Sequence, residues 1–205
     1  MFTCPVYWYL AVSLPWRCNM KIELAVANLS HIDEVLALHS QYQVDSIRED
    51  DKKDGFITTA FSRQHLQDLI SQEAGLFIAQ HEGRIVAYAM AGGWSFWSQW
   101  PMFKHMIQEL PKLQYAGTHL TTENCYQYGP VCVDKSVRGS GVFEKIFHFS
   151  LQKMSQRFPF MVTFINKINP RSFEAHVRKV NLDVIKEFEF NNNQYYELAC
   201  HTKLA

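Results

Sequence analysis

One stretch near the middle of the chain constrains the fold more than any other: Gly129-Pro130-Val131-Cys132-Val133-Asp134-Lys135-Ser136-Val137-Arg138-Gly139-Ser140-Gly141-Val142-Phe143. It reads as an apolar strand, a polar turn, a glycine-bracketed loop and the start of a helix. A strand that feeds a helix in this way gathers free backbone N–H groups at the helix N-terminus, where the helix dipole adds positive potential. Arg138 stands beside that point. The guest that suits this chemistry is a phosphate or pyrophosphate. Gly139 and Gly141 let the backbone approach closely where a Cβ would obstruct it. Two familiar phosphate loops are excluded. There is no G-x-x-x-x-G-K-[ST], and G-x-G-x-x-G is incomplete because Glu144 follows where a third glycine belongs. On its own, Arg-Gly-Ser-Gly is also a common turn composition.

A second strand and helix follow. Residues 160–165, Phe-Met-Val-Thr-Phe-Ile, are β-branched and aromatic and predict a strand. Asn169 is a strong N-cap, and Pro170 suits the first helical position. Phe173, Val177 and Val180 supply an apolar helical stripe, and Asn181 ends it because Asn tolerates the left-handed conformation. A further strand begins at Asp183-Val184-Ile185.

Together these segments resemble the GNAT superfamily of N-acetyltransferases. The first is similar to the family's [QR]-x-x-G-x-[GA] loop, with Arg138 and Gly141 matching and Phe143 standing where Gly or Ala is usual. The second is similar to N-x-x-[AS]-x-x-x-[YH] followed by G-F, with Asn169, Ser172 and His176 in place. Asn181 and Leu182 replace the final pair, and one extra residue separates them from His176. The two motifs lie about 30 residues apart in the family's order, and the likeness runs from about Met20 to the end.

The resemblance implies an α/β fold. A mixed, mostly antiparallel central sheet would carry helices on both faces and a splayed strand pair for acetyl-CoA. It also implies the cofactor-binding residues. Arg138, Gly139, Ser140, Gly141, Val142 and Phe143 would hold the pyrophosphate, Val131, Cys132 and Val133 would lie along the pantetheine arm, and Asn169 and Ser172 would complete the set. Read without the resemblance, Val131 to Val133 fit an ordinary strand ladder equally well.

At 205 residues the chain suits one domain, with 47% hydrophobic and 20% charged residues, which is globular rather than disordered composition. Twenty basic residues balance twenty acidic ones, so no net field recruits nucleic acid or an anionic membrane. The five cysteines, Cys4, Cys18, Cys125, Cys132 and Cys200, are odd in number and form no C-x-x-C. That pattern argues against a disulfide framework and a cysteine zinc site, and for reduced thiols in a cytoplasm. The nine histidines show no ligand spacing, and no metal site is expected.

Residues 1–19 form an uncertain N-terminal extension to a domain spanning 20–205. The extension is uncharged from Phe2 to Trp16, is interrupted by Pro5 and Pro15, and lacks a basic signal-peptide start. A misassigned start, a genuine appended segment and a targeting signal all remain open.

Along the rest of the chain, Ile22, Leu24 and Val26 alternate as a first strand, and Ser30 with Asp33 resembles a capping box before a helix. Residues 48–55 read as a charged turn, and a helix with Leu66, Leu69 and Ile70 follows Ser62. Glu82-Gly83 and Asn191-Asn192-Asn193 mark hairpins. The insert from Gly92 to Thr122 carries Trp94, Trp97 and Trp100 and a helical stretch from Pro101 to Leu110. Those tryptophans read either as core or as part of an acceptor wall. The predicted order is β-α-α-β-β-insert-β-α-β-α-β-β.

Acetyl transfer to an amine requires a bound thioester, a deprotonated nitrogen and a proton for the departing thiolate. His176 is the candidate acid, at the position where the family often has a tyrosine, although it also flanks an apolar stripe and fits a core histidine. Glu123, before the central strand, is the nearest candidate base, with Tyr128 ordering a water, although a solvated loop glutamate explains Glu123 as well. The implied function is acetyl-CoA-dependent N-acetyl transfer to a primary amine of a small molecule or peptide, with a homodimer left open. The alternative is a non-catalytic GNAT-like domain that binds acyl-CoA or a partner protein.

Overall fold

The computed structural model describes residues 20–48 and 55–203. The extension at 1–19 and most of the charged turn, at 49–54, lie outside the described residues. The elements run β1 (Glu23–Val26), α1 (Ile32–Tyr42), α2 (Arg63–Asp68), β2 (Leu76–His81), β3 (Arg84–Gly92), α3 (Trp94–Trp97), α4 (Pro101–Glu109), β4 (Gln114–Tyr115), β5 (Thr118–His119), β6 (Cys125–Val133), α5 (Val142–Met154), β7 (Phe160–Asn166), α6 (Pro170–Glu174), β8 (Asp183–Phe190) and β9 (Asn193–His201). This is the predicted order, with two short helices and a small hairpin as the insert.

Seven strands form one sheet in the order β1-β2-β3-β6-β7-β9-β8. Every neighbouring pair is antiparallel except β6 and β7. The hairpins have local causes. Glu82 and Gly83 have φ of 50° and 75°, and Asn191 and Asn192 have φ of 47° and 60°. Such left-handed pairs match the strand twist in two-residue turns. The cap expected at Ser30 sits at Asn28 instead. Asn28 Oδ1 accepts the Ser30 N–H at 2.9 Å, and His31 Nδ1 accepts the Asn28 N–H at 3.0 Å. A short 3-10 turn at Leu29–His31 precedes α1, so the cap moves back with it. Ser62 caps α2 through the His65 N–H as its sequence position suggests.

Strand alternation sends apolar side chains to both faces and makes two cores. One lies under α1, α2 and the insert helices and includes Ile32, Leu66, Tyr88, Trp94 and Trp97. The other lies under α5 and includes Ala87, Ala89, Ile146, Phe147 and Leu151. The small residues Ala87 and Ala89 leave room for α5 against β3. Trp94 and Trp97 are buried in the core, donating to Cys125 Sγ at 3.3 Å and Gly92 O at 3.1 Å. Trp100 packs between Phe61, His65 and Phe103.

Glu197 is a buried acid in this core, only 1% exposed, and its Oε1 has no partner among the described residues. It sits on β9 opposite Phe164 of β7 and Lys186 of β8. Burial raises its carboxyl to about 7, against the pull of Lys186, whose ammonium is paired to Glu109 at 3.0 Å. The folded state therefore binds a proton that the unfolded state, near 4.5, releases. Stability held below pH 4.5 is lost as pH rises through 7, by on the order of 3 kcal/mol. Glu197→Gln is expected to remove that loss. Urea unfolding at pH 5 and pH 8 checks it. The variant should gain on the wild type by about that amount between the two conditions, and parallel pH profiles would contradict the assignment.

Candidate functional site

The sheet opens between β6 and β7. Parallel pairing covers only Cys125 with Phe160, Tyr126 with Met161 and Gln127 with Val162, after which the strands part. Gly129 has φ of 104°, and Pro130 carries no N–H. The Tyr128 carbonyl is taken by side chains instead of by a strand, accepting from Thr163 Oγ1 at 2.7 Å and Gln127 Nε2 at 2.6 Å. Against β3 the register shifts here, since Ala89 faces Val131 while Ala91 faces Tyr128, which marks a bulge. Beyond it, the Asp134 N–H donates to Val86 O at 2.8 Å and sets the phase of the ladder. In an antiparallel pair the bonded residues alternate, so Val131 and Val133 direct their backbone groups away from β3, towards the gap. Cys132 lies between them, paired to Tyr88 and 4% exposed, and burial pushes its thiol well up.

Past Val133 the chain is fixed by a small polar network. Asp134 Oδ1 caps the turn Lys135–Val137, accepting the Ser136 N–H at 2.8 Å. Tyr42, at the end of α1, donates its hydroxyl to Asp134 Oδ2 at 3.3 Å and accepts the Lys135 N–H at 2.8 Å. Arg138 donates to Val133 O at 3.0 Å, and its guanidinium lies 5.0 Å from the Tyr42 ring centroid. Gly139 and Gly141 then have φ of 80° and 83°, and a Cβ built on either meets no atom within 4 Å. Conformation rather than crowding requires glycine here, and the space above both is open. Ser140 donates its hydroxyl to Val137 O at 2.5 Å. α5 starts without a side-chain cap, and its first backbone bond is Lys145 N–H to Gly141 O. First-turn N–H groups such as those of Val142 and Phe143 have no intrahelical acceptor.

This loop forms one end of a groove of about 790 Å³. Its described lining includes Arg138, Arg171 and Lys179 and one carboxylate, Glu144, which Lys179 approaches to 3.2 Å. Glu144 Oε2 has no partner among the described residues. A second recess, of about 710 Å³, lies towards α4 and is walled by Phe103, Phe164, Tyr195, Thr163 and Gln127. The two share Phe56, Ile57, Val131, Asn169, Ser172 and His176. They therefore meet at the gap between β6 and β7.

Asn169 holds this junction together. Its Oδ1 caps α6 through the Ser172 N–H at 3.2 Å, and its Nδ2 donates to Phe56 O at 3.3 Å. Ile57 is tied in turn to the end of α1, its N–H donating to Tyr42 O at 2.9 Å. α6 continues into a π turn, Ala175–Lys179, which absorbs one residue. The residue inserted after His176 is thus taken up within the helix, and His176 still faces the junction.

His176 is 4% exposed, with its ring edge-on to Phe143 at 5.0 Å and to Tyr128 at 6.2 Å. Its Nδ1 lies 2.7 Å from Ser172 O, which can only accept, so Nδ1 carries the proton and Nε2 presents a lone pair. Burial lowers its pKa to about 4, against the upward pull of the Ser172 carbonyl. Tyr128 is fully buried, its hydroxyl has no partner among the described residues, and burial holds that hydroxyl protonated.

The fold thus brings together His176, Tyr128, Val131, Cys132, Val133, Arg138, Gly139, Gly141, Val142, Phe143, Asn169 and Ser172 as lining residues of the two recesses. Ser140 completes the loop between the two glycines. Glu123 is not brought there. It is exposed in the turn before β6, accepting from Thr122 Oγ1 at 2.6 Å, and lines neither recess. β6 begins at Cys125 and the gap opens past Gln127, roughly 10 Å farther along the strand. Sequence reasoning did not select Phe56, Ile57 or Gln127. Gln127 alone carries a signal, as a polar residue within an otherwise apolar strand.

No protein-family model matches the chain, and no curated protein sequence matches it. Solved structures do. An N-acetyltransferase from Staphylococcus aureus matches with a TM-score of 0.58 at 13% identity, over 89% of this chain and 99% of its own. A protein from Salmonella typhimurium assigned as an acetyltransferase and solved with its cofactor acetyl-CoA matches with a TM-score of 0.59 at 10% identity, over 89% and 94%. The ribosomal-protein-S18-alanine N-acetyltransferase from Escherichia coli matches with a TM-score of 0.58 at 7% identity, over 90% and 96%. The chain has the GNAT fold.

The environment of His176 makes a spectroscopic prediction. Its ring is expected to be neutral at pH 7 with the proton on Nδ1, and to titrate near pH 4. Because its folded pKa lies below the usual 6.5, the stability gained from keeping it neutral is complete above pH 6.5 and is lost as pH falls towards 4. Nitrogen-15 imidazole spectra across pH 3–8 check this, and a proton on Nε2 at pH 7 would contradict it.

Proposed function

We propose that this protein is an N-acetyltransferase that moves the acetyl group of acetyl-CoA to a primary amine of a small molecule or peptide. The observation that carries this reading is the meeting of two recesses where β6 and β7 part, with an anion-suited loop at the far end of one of them. Acetyl-CoA has its phosphates at one end and its thioester at the other. The groove offers partners in that order: the N-terminus of α5 with Arg138, then the backbone edge at Val133 and Val131, then His176. Helix N-terminal N–H groups suit the pyrophosphate, and the amide-bearing arm adds along the strand edge at Val131, beside the Val133 carbonyl that Arg138 holds, as an extra strand would.

In this reading the amine enters through the second recess. Its lone pair attacks the thioester carbon, a C–N bond forms, and the carbonyl oxygen takes up the charge. Collapse breaks the C–S bond. Nitrogen must lose one proton and sulfur must gain one. His176 Nε2, which presents a lone pair, takes the proton from nitrogen and then gives it to the thiolate. It is therefore acceptor first and donor second. Tyr128 keeps its phenolic proton and acts as a hydrogen-bond donor at the same place. Glu123 has no part in this scheme because it lies outside both recesses.

A second reading is a domain that binds acyl-CoA without turnover. Phe143 favours it, because a half-buried aromatic ring stands in the groove where relatives of this pattern have Gly or Ala. Release of free thiol from acetyl-CoA in the presence of an amine separates the two.

Gly141→Asp would place a carboxylate beside the phosphates at a φ that L residues rarely adopt. Calorimetry is expected to show acetyl-CoA affinity lower by at least tenfold, about 1.4 kcal/mol. Unchanged affinity in a folded variant would put the phosphate site elsewhere. His176→Phe keeps ring volume and removes the relay. Turnover should drop by roughly 10²–10⁴-fold while acetyl-CoA affinity is retained. Full turnover with a lower melting temperature would mark His176 as a packing residue.

A further inference from the structure

The second recess has a chemistry of its own. Its described lining includes no Asp, Glu, Lys or Arg, and the one histidine in it, His176, is neutral at pH 7. Its walls on the α4 side are aromatic. Phe103 and Phe164 meet edge to face at 5.6 Å, and Phe164 and Tyr195 do so at 5.7 Å. Into this apolar enclosure the chain places Gln127, which is 1% exposed. Alternation puts its side chain on the same face of β6 as Cys125, the face that α4 covers. Its Nε2 is used, donating to Tyr128 O, but its Oε1 has no partner among the described residues. The orientation is fixed, because a flipped amide would set two acceptors 2.6 Å apart. A buried carbonyl oxygen calls for a donor, and Gln127 is the last residue of β6 paired to β7, so it stands beside the gap.

We propose that Gln127 is an acceptor-binding residue, its Oε1 taking a hydrogen bond from an N–H of the substrate's amino group. The same geometry points to the substrate class: a primary amine on a flat, uncharged apolar body that lies against Phe103, Phe164 and Tyr195. An aromatic wall stabilises such a body by stacking and by edge contacts. A linear diamine would place a second ammonium in the recess with no carboxylate among its described lining residues to meet it, and burying an unpaired charge is unfavourable. The inference rests on the acetyltransferase reading, since it takes the second recess as the acceptor side.

The test uses the full chain with 2-phenylethylamine and 1,4-diaminobutane as probes, in the presence of CoA, so that binding is read without turnover. Calorimetry is expected to show 2-phenylethylamine bound at least tenfold more tightly than 1,4-diaminobutane. Gln127→Leu should weaken 2-phenylethylamine by at least tenfold and leave acetyl-CoA affinity unchanged. Leu fills a similar volume, and Tyr128 O retains its Thr163 donor, so the variant should fold. Tyr195→Leu removes an aromatic wall and should weaken the aromatic amine while leaving 1,4-diaminobutane unaffected. Equal affinity for the two amines, or unchanged 2-phenylethylamine binding in folded Gln127→Leu, would overturn the proposal. So would acetyl-CoA binding with no binding of 2-phenylethylamine. Failure of the wild type to bind acetyl-CoA would instead sink the acetyltransferase reading on its own.

Discussion

Everything functional in this fold depends on one interrupted ladder. β6 and β7 begin as an ordinary parallel pair and stop pairing after Gln127 and Val162. Four local features act together. Gly129 adopts a φ of 104°, Pro130 has no N–H, Thr163 and Gln127 occupy the Tyr128 carbonyl, and a bulge shifts the register against β3. They cluster where the pairing with β7 ends. Buried backbone groups must find partners. The opening persists because the residue beside it is satisfied by side chains, while Val131 and Val133 face space that a ligand backbone can reach. A continuous ladder here would join α5 and α6 over a closed sheet and leave no passage from the groove to the recess.

Much of this was legible in the sequence, and the physics explains which parts. The glycine loop, the Asn169 cap with Pro170, the Asn181 stop and both hairpin turns are local. Each depends on a residue type whose backbone preference is strong enough to decide the outcome within a few positions. Asn28 in place of Ser30 is a small displacement among equivalent short acceptors. Glu123 lies outside both recesses for a different reason. Proximity in sequence to a strand end says nothing about which end of that strand carries the site, and β6 starts four residues earlier than Gly129-Pro130 alone suggests. The Gly-Pro pair marks the break within the strand and not its start. Phe56 and Ile57 carry no individual signal in the sequence. They reach the site through Asn169 Nδ2 and Tyr42 O, bonds that join segments more than a hundred residues apart in one case and the far end of α1 in the other.

The two recesses divide the electrostatic work. On the groove side, the described lining carries Arg138, Arg171, Lys179 and Glu144 beside the N-terminus of α5, whose N–H groups and dipole suit an anion. On the other side the described walls carry no formal charge. A substrate amine that arrives as an ammonium would lose solvation on entering such a space, which favours its neutral form. In the proposed reaction, the low polarity that makes the recess a poor host for a cation would assist the deprotonation that nucleophilic attack requires. This lightens the demand on a dedicated base and fits the position of Glu123 outside the site.

His176 belongs to the same logic. Its pKa near 4 would be a poor property for a base acting alone on an ammonium in water. In the proposed reaction the requirement differs. The nitrogen that has just bonded to the acetyl carbon is far more acidic than a free ammonium, and the departing thiolate is far more basic than a neutral imidazole. In that scheme a site that gives up its proton readily is the useful one, because the task proposed for His176 is transfer rather than retention. The Ser172 carbonyl fixes the tautomer so that Nε2 starts empty, and the π turn keeps the ring at the junction despite the extra residue in the helix. In the proposed relay, the burial that makes the ring reluctant to hold a charge would make it quick to pass one on.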